Sequence, residues 1–233
     1  MMLSAASIFV YLGLTWLLHR GDYARTAPSR SASQEVLEAV VVAAALLVVR
    51  HLPLNVLGQT GWPGTYLAFG LLAPVVLERF VRRRSWAAVG WRKPTNQQAL
   101  AIGFGLLALY ALSALYRILI LGAPYYFDWG RLAYYAAFAY VEEVLFRGVV
   151  QTRLESAWSQ PRAWIVSGLF FGLYHWYGRF LVPGRALTVS GVVQLASTTA
   201  IGMLLGVLFA KTRSLLPPFL IHLANNLYAS QHW

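Results

Sequence analysis

Residues 129–152 read WGRLAYYAAFAYVEEVLFRGVVQT, a stretch with the length and apolar character of a membrane-spanning helix. Near its middle stand two adjacent acids, Glu142 and Glu143, with Arg147 one turn further on. Charged side chains inside a bilayer are costly, so they usually mark function and have partners. Two later apolar segments each carry one histidine: Phe171-Gly172-Leu173-Tyr174-His175 ends on His175, and His222-Leu223-Ala224-Asn225-Asn226 opens on His222. Acids, imidazoles and a carboxamide in apolar helices have the makings of a hydrolytic site within a membrane.

The composition agrees with that setting. Of 233 residues 58% are hydrophobic and 12% charged, a mix that no soluble domain of this length could carry on its surface. The net charge of +11, from 19 Lys and Arg against 8 Asp and Glu, raises the question of nucleic acid. The basic residues lie in loops between apolar runs, however, which reads as topology signals facing anionic lipid, with no nucleic-acid partner. The absence of cysteine excludes disulfides, thiolate catalysis and Cys-based zinc sites.

On a criterion of about 20 mainly apolar residues, the spacing predicts eight spans: 2–18, 36–57, 65–81, 100–121, 131–152, 164–182, 187–210 and 215–230. The expected fold is all-α, a polytopic membrane protein of about eight transmembrane helices around an intramembrane cavity. His51-Leu52-Pro53 is expected to interrupt the second span, and Trp62-Pro63-Gly64 to separate it from the third. Arg20, Arg25 and Arg30 follow the first span rather than preceding it, so it reads as a retained helix with its N-terminus outside. The same orientation puts Arg79, Arg82, Arg83, Arg84, Arg92, Lys93, Arg153, Arg162, Lys211 and Arg213 inside. Arg50, Arg179 and Arg185 are left outside. The polar Gly21–Gln34 is a loop. A composition shift over 78–96 divides the chain into N-terminal anchor helices, 1–85, and a working core, 86–233.

Helical geometry gives the two glutamates different jobs, because successive residues diverge by about 100° while i and i+4 share a face. Glu143 and Arg147 form such an i,i+4 pair, so Arg147 neutralises Glu143 within its own helix. Glu142, without a local partner, suits a general base working near neutral pH. The competing reading is a structural ion network in which both acids pair with neighbouring helices. Phe171 lies one turn from His175 on the same face, and Gly168-x-x-x-Gly172 admits a close neighbouring helix. His222 and Asn226 are an i,i+4 pair that can present two donors to a developing oxyanion. Asn225, about 100° away, is assigned no role. Counting at about 1.5 Å per residue puts His222 some ~10 Å and His175 some ~18 Å from the inner face. A water-filled cavity open to that face is required.

Glu-Glu-x-x-x-Arg at Glu142, Glu143 and Arg147, Phe-x-x-x-His at Phe171 and His175, and His-x-x-x-Asn at His222 and Asn226 occur in order on three apolar segments. In this order they resemble the signature of the CPBP intramembrane proteases, the CAAX protease and bacteriocin-processing (Abi) family. Residues 86–94, WAAVGWRKP, resemble the short basic loop that precedes the family core. The resemblance implies an eight-helix endopeptidase with a conical cavity open to cytosol and lipid. In it Glu142, helped by His175, activates water, and His222 and Asn226 form the oxyanion hole, with Glu143, Arg147 and Phe171 in support. The implied substrate is a membrane-anchored or lipidated protein or peptide, cut near its C-terminus as in CAAX processing, peptide maturation or removal of a sorting signal.

The family is described both as metal-dependent and as glutamate-dependent. Glu142, His175 and His222 supply three candidate ligands for zinc with an open fourth position. With no His-Glu-x-x-His, and Glu143 claimed by Arg147, the metal-free reading without a cofactor is preferred. Compact size and short loops suggest a bacterial inner membrane, with the site open to the cytoplasmic side. Other intramembrane protease classes fail on inventory: the aspartates, Asp22 and Asp128, lie in loops, and no Gly-x-Ser-Gly occurs. A proton-coupled transporter predicts an internal repeat that the sequence does not show. A catalytically silent binding or immunity protein that keeps the pocket stands as the other alternative.

Overall fold

Helices account for nearly all of the chain in the computed structural model, which describes residues 2–20, 31–56, 58–122, 128–180 and 188–229; no strand occurs among them. The first three helices are α1 (Met2–His19), α2 (Ala32–Val56) and α3 (Gly58–Pro74), and α3 runs on as a wider π-helical turn, Val75–Val81. A short 3₁₀ turn, Trp86–Val89, precedes α4 (Gln97–Leu119). One continuous rod follows, made of α5 (Trp129–Glu143), a π-helical segment Val144–Gln151, and α6 (Thr152–Ala157). The chain continues through α7 (Gln160–Phe180), α8 (Val189–Thr212) and α9 (Leu216–Ala229). Asp128, Asn96 and Thr188 cap α5, α4 and α8 through their side-chain oxygens. Pro217 and Pro218 sit in the first turn of α9, where a missing N–H costs nothing.

The structure corrects two expected breaks. Helix α2 runs through His51-Leu52-Pro53 without interruption, and Trp62-Pro63-Gly64 lies inside α3 rather than between helices. Proline removes one donor, but in an apolar setting the freed backbone groups have no water to turn to and the remaining helical hydrogen bonds persist. Each expected span finds a helix, yet among the described residues three stretches are long and apolar enough by themselves to cross a membrane: Ala32–Val49, Gln97–Leu119 and Val189–Thr212. Two of the others fall short for visible reasons. The 129–157 rod carries Glu142, Glu143, Arg147, Arg153 and Glu155, and α9 has 14 residues. Arg25, Arg30, Asp22 and Arg185 lie outside the described residues, as do the side chains of Arg50, Trp62 and Arg179.

Helix α8 is the central post, buried along its second half and packed by α7, α1, α9 and α4. The α7–α8 crossing is close because Gly168 and Gly172 face it: a Cβ on either would collide with Met203 or Thr199 of α8. Several loop-side segments meet at one end of the bundle. Arg82 holds Glu35 and Glu38 of α2, Arg153 holds Glu38 and Glu78, and Arg213 bonds Glu155. The 86–94 loop is stitched to the α8–α9 turn at this end, with Leu215 N donating to Gly90 O and Thr95 N to Thr212 O, at 2.9 and 2.8 Å. Gly90 turns there at φ +96, where a side chain would strike Phe209 and Leu215. The segments gathered here are those that the basic-residue pattern assigns to one face.

Candidate active site

Glu142 and Glu143 end α5, and their divergence on the helix sends the carboxylates to different partners. Glu143 pairs with Arg147 on its own rod, Oε2 to Nε at 3.1 Å, as the i,i+4 spacing predicts. Its other oxygen, Oε1, lies 2.8 Å from His222 Nδ1. A carboxylate only accepts, so Nδ1 carries the hydrogen and Nε2 is left for the site. Arg147 is fully buried and also donates to Ser167 Oγ at 3.3 Å. Glu143 is therefore shared between a guanidinium and an imidazole, which the sequence reading gave to Arg147 alone.

Glu142 is not the unpaired carboxyl that its own helix suggests. Oε1 lies 3.3 Å from the Tyr66 hydroxyl of α3 and 3.2 Å from the Tyr174 hydroxyl of α7. Oε2 lies 3.5 Å from Nε2 of His175 and 3.5 Å from Nε2 of His222. His175 Nδ1 is 2.9 Å from the Phe171 carbonyl, again an acceptor, so that ring also directs Nε2 to Glu142. The depth offset counted from the sequence closes, since both histidines reach the same oxygen. Phe171 stands between them, its ring centroid 4.4 Å from that of His175, 5.4 Å from that of His222, and 5.0 Å from Arg147 Cζ. Asn226 lies one turn beyond His222 on α9, half-buried, and its carboxamide makes no hydrogen bond among the described residues.

The structure thus brings together Glu142, Glu143, Arg147, Phe171, His175 and His222, and leaves Asn226 as an uncommitted donor beside them. Sequence reasoning missed Tyr66 and Tyr174, both buried. It also gave no role to Asn225, whose Oδ1 accepts from Tyr11 of α1 and Tyr110 of α4 at 3.0 Å each. Nothing in the pattern marks these four among 13 tyrosines, because their partners are distant in the chain.

Chemically, Glu142 Oε2 and, in the Nδ1–H tautomer, Nε2 of His175 are two acceptors facing one space. A water there donates one hydrogen to each and is left with a lone pair to direct at a carbonyl carbon. The His175 side chain is 21% exposed, so solvent can approach from its side. A zinc ion would need Glu142, His175 and His222 as joint ligands. Among the described residues no three His, Asp or Glu side chains are grouped tightly enough to hold an ion as they stand.

An all-helical, membrane-compatible bundle with a buried carboxylate facing two imidazoles has the design of a hydrolase acting within apolar surroundings. Comparison with known proteins agrees: residues 124–228 match the family model for type II CAAX prenyl endopeptidase Rce1-like proteins. The matched segment contains all three motifs and is narrower than the motif-based resemblance, leaving out the 86–94 loop. No curated protein and no solved structure matched the chain.

Proposed function

We propose that the protein is an intramembrane endopeptidase that hydrolyses a peptide bond near the C-terminus of a lipidated or membrane-anchored substrate, with Glu142 as general base. The observation that carries this reading is the meeting of Glu142 Oε2 with Nε2 of His175 and His222, at 3.5 Å each, inside the segment that matches the Rce1-like family. Water held by Glu142 and His175 loses a proton to Glu142 as its oxygen bonds to the substrate carbonyl carbon. The oxyanion receives hydrogen bonds from the Asn226 carboxamide and from His222 Nε2–H. His222 donates there as the doubly protonated ring, since its Nδ1–H is directed to Glu143. The C–N bond then breaks, and Glu142 returns its proton to the departing amine.

In this reading the eight helical rods span the membrane of a bacterial cell. The end where Arg82, Arg153 and Arg213 gather faces the cytoplasm, and the site opens to that side. The partners are the bilayer and a peptide, and the mechanism uses no metal or cofactor. The test is cleavage of a fluorogenic prenylated CAAX peptide and of transmembrane peptides by detergent-purified wild type, Glu142→Ala and His222→Ala, each with and without a zinc chelator. Cleavage that survives chelation and is lost in both variants supports the proposal. Loss on chelation with recovery on added zinc replaces the glutamate mechanism by a metal one. A folded wild type that cuts none of the peptides favours a silent binding protein of the same fold.

A further inference from the structure

Glu142 has two oxygens, and the proposed chemistry needs one of them aimed at water. The other, Oε1, is held by hydroxyls from two other helices. Tyr66 on α3 and Tyr174 on α7 are 0% and 1% exposed, and their hydroxyl oxygens are 2.6 Å apart. Both lie within 3.3 Å of Glu142 Oε1. Two hydroxyls carry two hydrogens. One is used between the tyrosines and the other points at the carboxylate, so the pair acts as a relay that always delivers one donor to Oε1. The rings are fixed independently of the hydroxyls: Tyr66 stacks on Phe138 with centroids 5.1 Å apart, and Tyr174 meets Phe146 edge-on at 5.3 Å. A glutamate side chain has three soft torsions, and tethering one oxygen fixes where the other points.

From this geometry we infer that Tyr66 and Tyr174 are positioning residues that hold Glu142 by Oε1 and so present Oε2 to His175 and His222. The inference rests on the proposed endopeptidase function and deepens it. Tyr66 lies outside the segment 124–228 that matches the family, so a helix assigned to the anchor enters the chemistry.

The shared donor predicts a particular pattern. In Tyr66→Phe, Tyr174 still donates directly to Oε1, and in Tyr174→Phe, Tyr66 still does. Each single variant is expected to lose less than about 10-fold in kcat, and the double variant about 100-fold, more than the two losses multiplied. Because both tyrosines are fully buried, KM is expected to stay at the wild-type value. The acid limb of the kcat/KM pH profile moves to higher pH in the double variant, as a carboxylate that loses a donor holds its proton more readily. Phe keeps both rings, and Phe138→Leu, which disturbs the packing but leaves both hydroxyls, should leave the pH profile in place. A double variant with wild-type kcat and profile, or one altered in KM alone, overturns the inference while cleavage by wild type and its loss in Glu142→Gln leave the proposed function standing. A wild type inactive on every peptide, or a Glu142→Gln variant as active as wild type, overturns the proposed function and this inference with it.

Discussion

Two clusters in this protein are both built around glutamates and are wired differently. At the loop-rich end of the bundle, Glu35, Glu38 and Glu78 all face guanidinium groups: Arg82 reaches Glu35 and Glu38 at 2.9 and 2.7 Å, and Arg153 reaches Glu38 and Glu78 at 3.1 and 2.6 Å. In the middle, Glu142 faces two hydroxyls and two imidazoles. A guanidinium stays protonated throughout the working range, so the end cluster is an ion lattice that cannot exchange protons. The hydroxyls and imidazoles of the middle cluster can both donate and accept hydrogen bonds, which a guanidinium cannot. Glu143 stands between the two styles, tied to Arg147 on one side and to His222 on the other. In the proposed function it is the identity of the partner, not the number of buried charges, that separates the scaffold from the reactive site.

The sharpest way to break the comparison is to neutralise one acid in each cluster. Glu142→Gln keeps the volume and the hydrogen-bonding shape but removes the base, and cleavage should fall by about 10³- to 10⁴-fold with little change in thermal midpoint. The lattice should respond the other way. Arg153→Met leaves Glu78, which is fully buried, facing no guanidinium from α6, and should destabilise the fold by about 3–5 kcal/mol. Activity per folded molecule should be retained. Thermal melts and turnover on the same preparations check both, and an Arg153→Met protein that stays folded but is inactive would erase the distinction.

Within the site, the contrast between Glu142 and Asn226 can be sharpened further. Asn226 makes no hydrogen bond among the described residues, so Asn226→Ala removes none there from the resting protein. Its expected cost appears only when negative charge develops, as a loss of about 10²- to 10³-fold in kcat. Its neighbour Asn225 is bound by Tyr11 and Tyr110, and Asn225→Ala should disturb the α1–α4–α9 packing first. Equal kinetic losses from the two variants would show that the amide on α9 acts through structure rather than as an oxyanion donor.

How much of this was legible beforehand follows from what each residue stands out against. Glu142, His175 and His222 are conspicuous because an apolar run makes any titratable side chain visible, and helical spacing alone assigned Glu143 to Arg147. Tyr66 and Tyr174 are not conspicuous, since a tyrosine in a membrane helix is ordinary and their link to Glu142 spans 76 and 32 residues. Continuity through Pro53 was hidden for another reason. Local rules treat proline as a breaker, whereas a helix in an apolar sequence can keep its remaining hydrogen bonds across one. The π-helical segments at Val75–Val81 and Val144–Gln151 left no sequence signal either, although the second begins directly after the two glutamates.

The smallest expected effect tests the reading of Arg82, Arg83 and Arg84, three consecutive cations that the sequence takes together as a topology signal. The structure divides them. The side chain of Arg82 is 3% exposed and bound between Glu35 and Glu38, and Arg84 lies 3.9 Å from Glu78. Arg83 is exposed, makes no ion pair among the described residues, and sits at φ +52, a backbone region that L side chains tolerate poorly. Arg83→Ala should therefore change stability by no more than about 0.5 kcal/mol. Arg83→Gly should be neutral or stabilising, by up to about 1 kcal/mol, because glycine adopts that conformation freely. Arg82→Ala, by contrast, should cost several-fold more, on the order of the 3 kcal/mol expected when a buried pair loses one partner. Chemical denaturation of the three variants in one detergent decides it: if Arg83→Ala and Arg82→Ala are equally mild, Arg82 acts only as surface charge and the ion lattice contributes little to holding α2 against the rest of the bundle.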